Sequence, residues 1–190
     1  MSFWGQPVSL SVSQTNPFDN DSSTVETIHQ MIAIAKVSSQ TPLIASIVDS
    51  CIRSLHNSNP QKRDLVRAIF WWIKSHVRFC EDEKTLGEQL GYSDVNQELL
   101  IPPVTLLNMP QPMGDCDDFS MLVASLMLAA KVPVWFVTVA VDPSEPFKWS
   151  HVYCMVNINE VMTPLDASHG KNVGWETQRE VYRRQEWYVG

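Results

Sequence analysis

Gly114-Asp115-Cys116-Asp117-Asp118-Phe119-Ser120-Met121-Leu122-Val123-Ala124-Ser125-Leu126-Met127-Leu128-Ala129-Ala130 is the stretch on which the fold turns. Phe119, Leu122, Val123, Leu126, Met127 and Ala130 recur at helical spacing, so the run predicts a core helix with Cys116 at its mouth. Backbone amides at a helix start lack intrahelical partners and stabilise negative charge, which favours thiolate over thiol. A cysteine in that position suits a nucleophile better than a core filler. Three carboxylates crowd it, and negative charge raises a thiol pKa. The thiolate therefore requires them to turn away. Asp115 is expected to cap the helix and Asp117 to complement its dipole, while Asp118 either bonds within the fold or borders a cleft.

Downstream, three strands are predicted. Residues 134–141 form a nearly continuous apolar run, the pattern of a strand buried on both faces. Residues 150–158 and 161–165 follow, linked through a turn at Asn157-Ile158-Asn159-Glu160. Alternation places His151, Tyr153 and Met155 on one face, and Val152, Cys154 and Val156 on the other, against the core. Asp166 follows the next strand. Residues 170–190 read as an irregular loop plus a short amphipathic segment.

Upstream, residues 1–22 are polar and read as an arm, followed by a single domain over 23–190. Helices are predicted over 23–37, then from Pro42 to a stop at Asn57-Ser58-Asn59. A third starts with Asn59 as cap and Pro60 in its first turn, carrying Leu65, Ile69, Trp72, Ile73 and Phe79 on one stripe. Trp71 and Trp72 are expected in the core. Residues 80–113 read as a long irregular segment whose prolines forbid a long helix, the kind of loop that is commonly functional or a lid. Helices first and an antiparallel sheet last, with one helix between them, make an α+β fold.

A chain of 190 residues can bury a core without staples. A net charge of −7 argues against a broad nucleic-acid footprint. The N-terminus lacks a basic start with an apolar run, and no stretch reaches the length of a membrane span, so a cytoplasmic protein is expected. Cys51, Cys80, Cys116 and Cys154 include no C-x-x-C pair and are expected as thiols.

A thiol nucleophile needs a base and a group that fixes the base. His151 at a strand start can serve as base, and Asp166 on the neighbouring strand can orient it. The oxyanion formed on a carbonyl needs donors: the Cys116 N–H is one, and Asn108 or Gln111 from the preceding loop is a candidate for the second. Trp149 and Asp118 are candidates for lining the cleft. His169 reads as a loop histidine, with a rival partner or substrate-side residue as the alternative, and His29, His56 and His76 read as surface or rim residues on helices. Asp-Cys-Asp-Asp lacks the alternating ligands and glycine of a calcium loop, so no metal and no cofactor are expected.

These residues resemble the transglutaminase-like superfamily. Gly114-Asp-Cys-Asp-Asp, leading into a helix and then Lys131-Val-Pro-Val, is similar to its G-x-C-x-D motif with a following G-I-P turn, Lys131 replacing the usual glycine. Ser150-His-Val-Tyr153 is similar to its H-A-W strand. Thr163-Pro-Leu-Asp-Ala-Ser168 is similar to its D-P-T motif, with Ala167 and Ser168 in place of Pro and Thr. Ala68 to Phe79 resembles the helix preceding the cysteine. The resemblance covers about residues 60–170, and it implies a papain-like α+β core with a Cys116-His151-Asp166 triad. The compact form is similar to small bacterial and phage members.

The function expected is thiol-dependent acyl transfer on peptide or glutamine amides of a protein or peptide substrate, through a thioester and without a cofactor. The alternative expectation is a non-catalytic assembly component of a phage particle, partnered by other phage structural proteins.

Overall fold

The computed structural model describes residues 11–13, 20–57, 59–81 and 98–190. In chain order its elements are β1 (Ser11–Ser13), α1 (Asn20–Ser39), α2 (Pro42–Ser54), α3 (Lys62–His76), β2 (Arg78–Phe79), β3 (Glu98–Leu100), α4 (Pro103–Asn108), β4 (Met113–Gly114), α5 (Cys116–Ala129), β5 (Val134–Ala140), β6 (His151–Ile158), β7 (Val161–Leu165) and β8 (Arg183–Tyr188). Helices precede the main sheet, so the fold is α+β. No single helix among the described residues is long and apolar enough to cross a membrane.

α5 is the centre of the molecule. Every residue from Asp117 to Met127 is buried, including the polar Ser120 and Ser125. A helix buried all round needs neighbours on every side, and α1, α2 and α3 supply them on one side, β5 and β6 on the other. Val134, Phe136, Val152, Cys154 and Val156 join the helices in the main core. Val137, Val139, Tyr153 and Met155 form a second, smaller core on the opposite face. The division follows from the period-two alternation of strands.

The sheet order is β7-β6-β5-β8, antiparallel throughout. β5 lies between β6 and β8, which explains its continuous apolar run. β8 corrects the expected amphipathic segment at 170–190: Ala140↔Arg183 through Trp135↔Tyr188 pair across the edge. Its Arg-Arg-Gln-Glu start carries no apolar alternation, because both sides of the early part of this edge strand meet water.

The helical half departs from expectation at its boundaries. α1 starts at Asn20, inside the supposed arm, and Asp21 pairs with Arg183 at 2.9 Å. Ser11–Ser13 pair with Glu98–Leu100, so this part of the arm is a strand. α2 is capped by Thr41 and ends at Ser54, ahead of Asn57. α3 begins at Lys62 with Gln61 as its cap residue, not at Asn59. It buries Val66, Ile69, Phe70 and Ile73. Trp71 is 51% exposed rather than core, and Trp72 is only partly buried, stacked on His76. Phe79 leaves the helix altogether and sits in β2.

The segment 80–113 holds more structure than its prolines suggest. β3, the one-and-a-half-turn α4 and β4 all fall within it, with Pro103 at the first turn of α4, where a missing N–H costs nothing. Residues 82–97 of the expected lid lie outside the described residues. β4 pairs in parallel with β2, and Cys80 N–H donates to the Gly114 carbonyl at 2.8 Å. The chain is thus fixed immediately before Cys116.

Candidate active site

The N-terminus of α5 is tied down by a reciprocal cap. Asp115 Oδ1 accepts from the N–H of Asp117 at 3.0 Å and of Asp118 at 3.4 Å, and Asp118 Oδ2 accepts from the N–H of Asp115 at 3.3 Å. This is the capping box in an all-aspartate form. Asp118 also accepts from Ile101 N–H at 2.8 Å and is wholly buried. It therefore binds the end of β3 to the helix start and does not border a cleft, which decides between the two expectations for that residue. Gly114 makes room for it: a Cβ at that position would lie 2.3 Å from Asp118 Oδ2 and 2.7 Å from its Cβ. The glycine of the motif is a steric requirement of the buried carboxylate.

Cys116 is partly exposed, unlike Cys51, Cys80 and Cys154, which are buried. The thiol lies 3.5 Å from Asp117 Oδ1 in donating geometry. Burial first, then the charges of Asp117 and Asp115, push the thiol well above its ordinary range, and a hydrogen bond with the Val152 backbone opposes them. The expected thiolate is corrected here. Asp117 faces the sulfur, so the resting group is an S–H, and the amides of Asp117 and Asp118 go to the Asp115 cap.

Two hydrogen bonds hold α5 against the start of β6: Ser120 Oγ donates to Val152 O at 3.2 Å, and the Cys154 thiol donates to Ser120 O at 3.3 Å. Ser120 lies one turn along α5 from Cys116, so the helix start is held close to the strand that begins at His151. Among the described residues no hydrogen bond joins the sulfur to the His151 ring.

His151 Nε2 and Asp166 Oδ2 are 2.8 Å apart. The pairing arises from register: Leu165 stands opposite Cys154, so Asp166 leaves β7 alongside β6 on its way back toward His151. The other oxygen, Oδ1, accepts from Ser168 Oγ at 2.8 Å and from His169 N–H at 2.9 Å. Burial acts to raise the Asp166 pKa, yet the hydrogen bond and charge of His151, with the two donors on Oδ1, bring it down to about 2. Gly170 closes this turn, and a Cβ there would lie 2.2 Å from the Asp166 carbonyl oxygen. With Nε2 occupied by the carboxylate, Nδ1 is the nitrogen left to His151 for proton transfer.

His169 is more than a loop histidine. Its ring meets His151 edge-on at 4.8 Å and Phe79 at 4.8 Å, and Phe79 lies 6.4 Å from Phe119 in the first turn of α5. On the other side, Tyr153 stacks with His151 at 5.9 Å. Tyr153 donates to Glu176, which pairs with Arg184 at 2.6 Å. Burial first, then Glu176, pushes the Tyr153 phenol up. Asp-x-Ser-His-Gly at 166–170 was a legible signal for a carboxylate-capped turn; nothing local signalled Phe79 or Glu176.

The remaining candidates lie elsewhere. Asn108 Nδ2 donates to Val104 O at 2.7 Å within its own helix, so that amide is not directed to an oxyanion. Gln111 is exposed in the turn before β4. Trp149 lies under the Arg183 guanidinium at 4.1 Å, and Arg183 in turn holds Asp21 and donates to the Phe147 carbonyl at 2.7 Å. The indole thus stitches β8 to α1 and makes no ring contact with His151 among the described residues. The backbone N–H of Cys116 is not among those taken by the Asp115 cap.

No family model matches the chain, and no curated protein matches it. Among solved structures, the fold is similar to that of a TGase, with 15% identity and a TM-score of 0.45 over 90% of this chain and 46% of that one. It is also similar to a candidate cysteine protease from Cytophaga hutchinsonii, with 16% identity and a TM-score of 0.46 over 90% of this chain and 50% of that one. A third likeness is to a structure of Rad4-Rad23 bound to a 6-4 photoproduct lesion, with 9% identity and a TM-score of 0.41 over 84% of this chain and 42% of that one. The chain spans about half the length of the structures it matches.

Proposed function

We propose that this chain is a thiol-dependent acyl-transfer enzyme of the transglutaminase-like type, acting on peptide or glutamine amides through Cys116, His151 and Asp166. The observation that carries this is the His151–Asp166 pair at 2.8 Å, at the start of the strand whose Val152 carbonyl and Cys154 thiol bond Ser120, one turn along the helix from Cys116. A carboxylate held at about pKa 2 remains ionised across the physiological range and favours the imidazolium formed during turnover.

In this scheme the Cys116 sulfur attacks the amide carbonyl carbon, and the thiol proton passes to His151 Nδ1. The carbonyl oxygen becomes an oxyanion facing the Cys116 N–H. His151 returns the proton to the amide nitrogen, the C–N bond breaks, and an amine or ammonia leaves a thioester on Cys116. Attack by water gives a carboxylic acid and attack by an amine gives a new amide; both restore the thiol. The resting S–H means that the proton must leave as the sulfur attacks, rather than beforehand. Substrate binding must therefore bring the ring to the sulfur and screen Asp117.

The direct test is mass spectrometry of the protein treated with a peptide or glutamine-based electrophile. A single adduct on Cys116, lost in His151→Ala and reduced in Asp166→Asn, is expected. Unselective labelling of all thiols, or a Cys116→Ala variant with full amide-cleaving activity, would remove this proposal.

A further inference from the structure

We infer that His151, Asp166 and His169 together form a binding site for a divalent transition-metal ion of the zinc class. One ring nitrogen from each histidine and one carboxylate oxygen lie within 4.8 Å of one another. Two imidazoles and a carboxylate are a borderline-soft donor set that suits zinc and leaves a fourth position for water. Tetrahedral zinc with bonds of about 2.0–2.2 Å sets its ligand atoms about 3.3–3.5 Å apart, so the His151–Asp166 pair, at 2.8 Å, must open to admit the ion while any ligand atoms near the 4.8 Å limit draw in.

The surroundings are built for holding such a set. Asp166 keeps one oxygen anchored by Ser168 Oγ and His169 N–H while presenting the other to His151. Hydrogen bonds of this kind, made behind a ligand, fix its direction toward the ion. The His169 ring is held edge-on by Phe79 and is exposed enough to admit an ion from solvent. The Cys116 thiol stands apart, bonded to Asp117, and is not needed as a ligand.

An ion at this site would displace the proton shared by His151 and Asp166 and fix the imidazole. Inhibition of turnover by zinc follows, and that consequence rests on the thiol-enzyme proposal; the binding does not. The test is titration of the protein with Zn2+ alone by calorimetry, and with Co2+ as a coloured substitute. One ion per chain is expected, with visible Co2+ bands and no thiolate charge-transfer absorption. Cys116→Ala should bind unchanged, and His169→Ala should bind at least about tenfold more weakly, the least that loss of even an outer partner costs. In the unmutated protein, Zn2+ should shift the ring resonances of His151 and His169 and leave His29, His56 and His76 in place. Absence of stoichiometric binding, a thiolate band, loss of binding in Cys116→Ala, or unshifted His169 resonances would overturn the site. Binding as expected without inhibition would leave the site standing and count against the role given to His151.

Discussion

Asp166→Asn removes a charge without removing a shape, and its effect on stability can be worked from the structure. The carboxyl has an ordinary pKa of 3.8 and is held at about 2 in the folded chain. A tenfold change in proton affinity corresponds to about 1.4 kcal/mol, so the ionised group contributes about 2 kcal/mol to folding. Asp166 is 3% exposed, so solvent screening takes little from that figure. The folded pKa is depressed, hence the unfolded chain binds more protons between about pH 2 and pH 4. The contribution is complete above about pH 4 to 5 and is lost as pH falls through about 2. Urea denaturation of both proteins from about pH 2 to pH 7 isolates it, because the other carboxylates are common to the two curves. The difference between wild type and variant should widen by about 2 kcal/mol from pH 2 to pH 5 and then level. A difference that stays flat across that window would show that the His151, Ser168 and His169 donors do not hold the carboxylate as the geometry requires.

Other perturbations probe the thiol, the cap and the chemistry. Iodoacetamide should react slowly with Cys116 near neutral pH, its rate rising only in alkaline solution, and Asp117→Asn should accelerate it at about pH 8 by removing a charge that raises the thiol pKa; peptide mapping of the adduct against time checks this. Gly114→Ala drives a methyl group into the Asp118 carboxylate, so a loss of about 1–3 kcal/mol in urea denaturation is expected. Asp118→Ala strands the N–H groups of Ile101 and Asp115, with an expected cost of about 3 kcal/mol by the same measurement and a larger loss of helix signal than Gly114→Ala shows. If the proposed thiol chemistry holds, Asp166→Asn should lower amide turnover by about 100-fold or more with KM little changed, since in that scheme the group acts through the histidine that moves the proton.

The linear pattern of residues was enough for the helix start at Cys116, for the buried course of β5 and for the assignment of Val152, Cys154 and Val156 to the core face. Those features depend on periodicities of about 3.6 and 2, and on a cap chemistry that acts within about four residues, all of which are written locally. The juxtaposition of His151 and Asp166 was half legible: adjacent strands were expected, but the residue pairing depends on register. The edge strand β8 was not legible, because an exposed edge has no apolar face to print in the sequence. Nor was the direction of Asp117, one of three neighbouring carboxylates with the same local preferences. In the folded chain Asp118 turns inward to Ile101 and Asp117 faces the sulfur, which makes the resting group a thiol. His169 and Phe79 meet through segments far apart in the chain, and such contacts are settled only when the helices and the sheet close on each other. Local chemistry placed a cysteine at the start of a helix; tertiary packing chose which charges and which rings would surround it.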